Sequence, residues 1–243
     1  MRTLAAFVVL AFISSSEAIC LGNNLDAVKS CYGTFFQAYG FPASPFPDYF
    51  TWHNVRQQWF ADQGVKVQQK VCDIGNALVN CVMPHWDCID IVTYQSLGNS
   101  FGNATDYLLD LHITQYQCSP RGLALALKNF PCIVQCRESG GQEKQDKCAD
   151  DILAELAEDG LCGGVNDYLT CFSNIYGDCC GSEGAEFMCG TTRAGVDAVY
   201  DDCDTEMHLT NCSTIYQKSG SRAIRNKIAK HMAHFLPERV RMH

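Results

Sequence analysis

The stretch CDIGNALVNCVMPHWDC at residues 72–88 decides the fold of this chain, because CGGVNDYLTCFSNIYGDC at residues 162–179 repeats its cysteine spacing. Eight residues separate the first two cysteines in both stretches, and six or seven separate the second from the third. Asparagine and aspartate also recur at matching places within them. Agreement at so many positions predicts an internal duplication, with each copy forming a similar structural unit.

The repeat extends outward in both directions. The sequence LHIT before Cys118 matches MHLT before Cys212. A pair of cysteines 11 or 12 residues apart precedes each of the two stretches. Six cysteines fall in the first copy and six in the second, while four stand outside this scheme. We assign Cys20, Cys31, Cys72, Cys81, Cys88 and Cys118 to copy one, Cys136, Cys148, Cys162, Cys171, Cys179 and Cys212 to copy two, and Cys132, Cys180, Cys189 and Cys203 to the remainder. Six cysteines allow 15 connectivities, so the sequence leaves the pairing open.

Residues 1–18 are typical of a secretory signal peptide. Arg2 precedes an apolar run of ten residues at 4–13, and small residues at Ser16 and Ala18 predict cleavage after Ala18. Ten apolar residues are too few to cross a bilayer, which takes about 20. We therefore expect a secreted, extracellular protein without a transmembrane segment.

Export also predicts the state of the cysteines. All 16 lie after the cleavage position, and an even number in an oxidising compartment predicts eight disulfides. Their spacing does not match a zinc site, so we expect neither a metal nor another cofactor. Two N-glycosylation sequons fit the same compartment, at Asn103-Ala104-Thr105 and at Asn211-Cys212-Ser213.

Apolar residues recur at helical spacing, and few segments alternate as strands do. We expect helices near residues 25–32, 72–81, 104–117 and 162–171, and one from 150 that ends at Gly160, whereas the prolines at 41–50 predict a loop. The predicted fold is all-α and disulfide-rich, with two duplicated small helical units packed together. Its divisions are a signal peptide at 1–18, helical repeats at 19–130 and 131–217, and a tail at 218–243.

Charge separates the tail from the rest of the chain. Residues 218–243 carry a net charge of +6, while the whole chain carries −9, which argues against nucleic-acid binding. Ile224, Ile228, Met232 and Phe235 would share one face of a basic amphipathic helix. Three interpretations stay open: the tail docks on the acidic body, binds an anionic glycan or lipid, or is a loose extension.

No catalytic residue is predicted. His112 and His208 occupy matching places, but duplication explains the match without an active site. The acids at 197–206 lack the spacing of a calcium loop, and Ser139-Gly140 only partly matches a glycosaminoglycan attachment site. The aromatic residues crowded between 35 and 60 fit a core, with a hydrophobic pocket as the alternative.

The spaced cysteine pairs, Tyr116-Gln117-Cys118, and Asp178-Cys179-Cys180 leading to Phe187-Met188-Cys189 resemble nematode secreted cysteine-rich proteins that carry a domain of unknown function. The resemblance covers most of the mature chain. It implies a signal peptide followed by a helical disulfide domain, with no established enzyme activity. Related egg proteins carry chondroitin chains, which would imply a matrix role.

These observations predict a secreted, disulfide-stabilised, non-enzymatic protein that acts in extracellular binding or structure. Its partner would be an extracellular protein, a glycan or a small hydrophobic ligand. Two alternatives are an extracellular carrier of a small hydrophobic ligand, using the aromatic residues of copy one, and a secreted hydrolase of unrecognised type.

Overall fold

The computed structural model describes residues 20, 22–155, 161–199 and 211–213, with side chains described except at 149–155 and 161–163. Within these ranges the chain forms helices and turns and no strand, which confirms the predicted all-α, disulfide-rich fold. The α-helices are α1 (Asn23–Ala38), α2 (Tyr49–Gln63), α3 (Gln68–Val82), α4 (Ile91–Ser96), α5 (Phe101–Gln117), α6 (Pro120–Cys136), α7 (Gln142–Glu155) and α8 (Leu161–Asp197).

Capping side chains fix where several helices begin. Asp48, Asp90, Ser100 and Ser119 each accept a hydrogen bond from a backbone N–H in the first turn of α2, α4, α5 and α6, respectively. Such caps satisfy donors that have no partner within the helix. The cap at Asp48 corrects the predicted loop at 41–50, because α2 already begins at Tyr49.

A single glycine divides the longest helix. Gly181 has a φ of 75°, a left-handed conformation that a residue without a Cβ adopts at little cost. The part of α8 before Gly181 carries the second cysteine stretch and is joined to α6 by two disulfides. The part after it contacts α6 through Glu186 and Arg121, and α5 through Gly190 and Tyr116.

The disulfides show the duplication directly. Copy one forms three disulfides among its own cysteines, and two of these recur at matching positions in copy two. Cys20–Cys88 corresponds to Cys136–Cys179, and Cys31–Cys81 corresponds to Cys148–Cys171. The Cys31–Cys81 disulfide joins α1 to α3, and its counterpart Cys148–Cys171 joins α7 to α8.

Connectivity departs from the repeat beyond this point. Cys72 bonds Cys118 in copy one, whereas Cys212, the expected counterpart of Cys118, bonds Cys189. A further disulfide, Cys132–Cys180, joins α6 to α8. Although LHIT and MHLT match in sequence, the cysteines that follow them, Cys118 and Cys212, do not form corresponding disulfides.

We predict that Cys162 and Cys203 form the eighth disulfide. The seven described disulfides account for the other 14 of the 16 cysteines. Cys162 and Cys203 lie where side chains are not described. A bond between them would take the place that Cys72–Cys118 has in copy one. Mass spectrometry of peptides from an unreduced digest should recover the linked pair. Alkylation of either thiol without prior reduction would contradict the prediction.

Buried apolar residues gather in two clusters, one from residues between Cys20 and Leu111 and the other from residues between Leu125 and Val196. The predicted domain boundary between residues 130 and 131 lies inside α6 and stays a prediction. Helix α5 supplies residues to the first cluster and also contacts α8, because the Tyr116 ring lies so close to Gly190 that it leaves no room for a Cβ atom there. No described helix is long and apolar enough to cross a membrane.

Candidate functional site

The aromatic side chains of the first half pack on one another. Trp52 is fully buried, and its ring centroid lies 5.2–5.9 Å from the ring centroids of Phe35, Tyr39, Tyr49 and Tyr107. These distances are typical of favourable aromatic pairs. The space in which we considered a hydrophobic pocket is thus occupied by the rings themselves.

A bidentate ion pair lies beside this aromatic cluster. Arg56 of α2 donates from Nη1 to Asp110 Oδ2 at 3.0 Å and from Nη2 to Asp110 Oδ1 at 2.5 Å. The two side chains are only 13% and 8% exposed. The guanidinium carbon also lies 4.5 Å from the centroid of the Trp52 ring, within the range of a cation–π interaction.

Further polar groups complete the surroundings of the pair. The Tyr49 hydroxyl donates to Asp110 Oδ1 at 3.3 Å, and the Thr114 hydroxyl donates to Oδ2 at 3.4 Å. His53 Nδ1 lies 3.1 Å from Arg56 Nη2. Burial, and then the charge of Arg56, lower the pKa of His53 from 6.5 to about 4. The imidazole is therefore neutral at physiological pH and accepts a hydrogen bond from the guanidinium.

This polar cluster attaches α2 to α5. Helix α2 lies in the 40 residues between Cys31 and Cys72, where copy two has only 13 residues between its matching cysteines. An insertion of that size needs its own contacts with the rest of the core, and the Arg56–Asp110 pair supplies one. Because its groups are buried and bonded to each other, we assign the cluster a role in positioning α2.

The histidines and acids singled out in the sequence are only partly described. Burial lowers the pKa of His112, whose ring centroid lies 5.3 Å from that of Trp86. His208, the acids from 201 to 206, the segment 1–18 and the tail 218–243 lie outside the described residues. Within the described part of the chain, no group of three potential metal ligands occurs.

A surface groove lies where the two halves meet. It has a volume of about 340 Å³ and is bordered by the end of α5, the start of α6, the last part of α8 and the segment 211–213. Its lining residues are Tyr116, Arg121, Glu186, Gly190, Arg193, Ala194, Asp197, Asn211, Cys212 and Ser213. The volume is at the low end of the range for small-molecule sites, about 300–1,000 Å³.

Charges in the groove are balanced in two pairs. Arg121 donates to both carboxylate oxygens of Glu186, from Nε at 2.8 Å and from Nη2 at 2.6 Å. Arg193 Nε donates to Asp197 Oδ2 at 3.4 Å. The Tyr116 hydroxyl donates to the Glu186 carbonyl oxygen at 3.3 Å, and burial raises the pKa of Tyr116 to about 12. The described lining residues thus offer donors and acceptors with no net charge between them.

The two sequons have different surroundings. Asn103 is half-buried in the first turn of α5, where its Oδ1 lies 3.4 Å from the Tyr49 backbone nitrogen that donates to it. Asn211 is exposed, and its Oδ1 accepts from the Ser213 backbone N–H at 3.0 Å and from the Ser213 hydroxyl at 2.8 Å. The native fold therefore has more room for a sugar chain at Asn211 than at Asn103.

We predict a higher glycan occupancy at Asn211 than at Asn103. Asn103 is half-buried and its Oδ1 accepts from the Tyr49 backbone at the start of α2, so its side chain has less room for a glycan than the exposed Asn211. Enzymatic release of glycans in ¹⁸O-labelled water, followed by peptide mass mapping, reports the occupancy of each asparagine. Equal occupancy, or a preference for Asn103, would contradict this prediction.

Sequence reasoning missed both the buried ion pair and the groove. A weak signal for the pair was present, since Arg56 lies within an aromatic-rich segment and Asp110 within the apolar run YLLDLHI at 107–113. The groove had no signal, because its residues come from four separate segments. Nothing in their order along the chain brings them together.

Comparison of the chain with protein-family models, with curated proteins and with solved structures finds no match. The resemblance to nematode cysteine-rich proteins therefore stays a prediction, and the functional conclusion rests on the molecule alone.

Proposed function

We propose that this chain is a secreted, disulfide-stabilised, non-enzymatic protein that acts by binding an extracellular partner at the groove. The observation that carries the proposal is the groove itself, an exposed cavity lined by residues of both halves of the molecule, two arginine–carboxylate pairs among them. The partner would be an extracellular protein or glycan.

The disulfides support the extracellular part of the proposal. Proteins of oxidising compartments keep disulfides, whereas cytosolic thiols stay reduced. Each of the seven described disulfides closes within one half of the chain. The apolar run at 4–13 supplies the matching export signal.

The chemistry of the groove supports binding. Two guanidinium groups and two carboxylates present hydrogen-bonding atoms at fixed positions, because each carboxylate is paired with an arginine. The carrier alternative has less support, since the aromatic rings on which it depends fill their own space. Among the residues that the structure describes, none is placed in a catalytic role that would support the hydrolase alternative.

Two ion pairs between the same helices allow a matched test. Arg121–Glu186 lines the groove, while Lys128–Glu183 joins α6 to α8 two turns away along α6 and is not part of the groove lining. Both basic side chains are largely exposed, at 60% and 66%. Arg121→Met and Lys128→Met therefore remove comparable ion pairs, and only the first alters the groove.

The secreted wild type and both variants would be tested for retention on immobilised collagen, fibronectin, chitin, hyaluronan and heparin. We expect the wild type and Lys128→Met to be retained on at least one of these, and Arg121→Met to be retained at least fivefold less. Retention of all three proteins to the same extent, or of none, would refute binding through the groove.

A further inference from the structure

We propose that the groove is a carbohydrate-binding site. This inference rests on the proposed function, because it names the chemical class of ligand for the same groove. The sugar has two possible sources, the chain's own glycan on Asn211 or a saccharide of another molecule.

The charge balance of the described lining residues favours a neutral, hydroxyl-rich ligand. An anionic ligand would compete with Glu186 for Arg121 and would take that arginine from a carboxylate that is only 15% exposed, which is costly. A hydroxyl group both donates and accepts, so it can bond an arginine and its carboxylate together without separating them. Sugar rings carry several such groups at fixed positions.

The apolar part of the groove lining suits one face of a sugar ring. Gly190, Ala194 and Tyr116 all line the groove, and the Tyr116 ring packs so closely on Gly190 that no Cβ could lie between them. The Ala194 methyl group and the Tyr116 ring supply apolar lining beside the charged pairs. Sugar rings are amphipathic in the same way, with C–H groups on one face and hydroxyls around the edge.

The sequon places a sugar attachment point in the groove wall. Asn211 and Ser213 both line the groove, and the two hydrogen bonds from Ser213 hold the Asn211 side chain in one orientation. Glycosylation joins Asn211 Nδ2 to C1 of an oligosaccharide as C1 leaves the pyrophosphate of its lipid-linked donor and the amide releases a proton. The first sugar would then stand at the rim, next to the groove.

The test combines two changes, loss of the glycan and loss of the groove arginine. Wild type and Asn211→Gln would be secreted from eukaryotic cells, each with and without the Arg121→Met substitution. Ser213→Thr keeps the sequon, and Lys128→Met alters an ion pair outside the groove. Glu186→Gln replaces Arg121→Met if the latter is not secreted. The measurements are the midpoint of thermal unfolding and the binding of free chitobiose by calorimetry.

If the chain's own glycan occupies the groove, its loss should lower the unfolding midpoint by several degrees when Arg121 is present. The same loss should have less than about half that effect in the Arg121→Met variant. Asn211→Gln should then bind chitobiose and the glycosylated wild type should not. If the sugar comes from another molecule, both should bind chitobiose, Arg121→Met should bind at least tenfold more weakly, and Lys128→Met should bind as the wild type does.

Two results would overturn the inference. In the first, Asn211→Gln does not bind chitobiose, and loss of the glycan lowers the unfolding midpoint equally with and without the Arg121→Met substitution. The other is chitobiose binding that Arg121→Met does not weaken. Either result leaves the proposed function standing if retention on an extracellular polymer still depends on Arg121, so the two failures can be told apart.

Discussion

Asp110→Asn is expected to lower the free energy of unfolding by about 3–5 kcal/mol, the usual cost of removing one partner from a buried ion pair. The change leaves the Arg56 guanidinium buried beside Trp52 without its counter-charge. It also weakens the bonds that the Tyr49 and Thr114 hydroxyls donate to the carboxylate. Denaturant unfolding with the disulfides intact would measure the loss.

A control and a double variant make this prediction specific. Asp62→Asn removes an exposed carboxylate from α2, the helix of Arg56, where Asp62 accepts from Gln58, and should change stability by less than about 0.5 kcal/mol. Arg56→Met combined with Asp110→Leu replaces both charges and should recover much of the stability. A loss below about 1 kcal/mol for Asp110→Asn would show that the pair does not hold α2 in place.

Acid is expected to destabilise the fold through His53. In the unfolded chain its pKa returns to about 6.5, whereas in the folded chain it is about 4, so between these values the unfolded state binds more protons. The contribution of His53 is complete above pH 6.5 and declines as the pH falls towards about 4. By linkage the loss is about 3 kcal/mol, and unfolding curves at several pH values would measure it.

The groups that face His53 explain the direction of this effect. Protonation would place a second positive charge 3.1 Å from Arg56 Nη2, and the nearby Asp110 carboxylate is already paired with that arginine. Tyr49, whose hydroxyl lies 3.3 Å from Nδ1, is kept neutral because burial raises its pKa. His53→Gln should flatten the pH dependence between 4 and 6.5. A profile as steep as that of the wild type would contradict the assignment.

His112 acts in the same direction, because burial lowers its pKa as well. The comparison that isolates His53 is therefore the difference between the wild type and His53→Gln at each pH. Any slope that remains in the variant below pH 6.5 belongs to His112 and to other groups.

Much of the fold could be predicted from the sequence because its signals are local. Apolar periodicity marks α1, α3 and α5, and the prolines of the loop stop before Asp48 caps α2. The cysteine spacing predicted a duplication, and the matching disulfides of the two copies agree with it. The helix and loop signals depend on residues within a few turns of one another, and the duplication was found by matching two short stretches of sequence.

The remainder depends on contacts between distant residues. Cysteine spacing alone could not show that Cys189 bonds Cys212, because Cys189 lies outside the repeated cysteines and 16 cysteines permit many pairings, of which helix packing selects one. The Arg56–Asp110 pair joins residues 54 positions apart, and the groove joins four segments between 116 and 213. Only the folded chain brings such residues together, and this is why the candidate site was not predicted.

The measurement that tests the account most directly is the intact mass of the chain secreted by eukaryotic cells, taken after glycan removal and without reduction. The account predicts that the protein reaches the medium with residues 1–18 removed and a mass 16 hydrogens below that of the reduced mature chain, as eight disulfides require. Retention inside the cell, or thiols that react with an alkylating agent before reduction, would contradict an extracellular protein stabilised by disulfides.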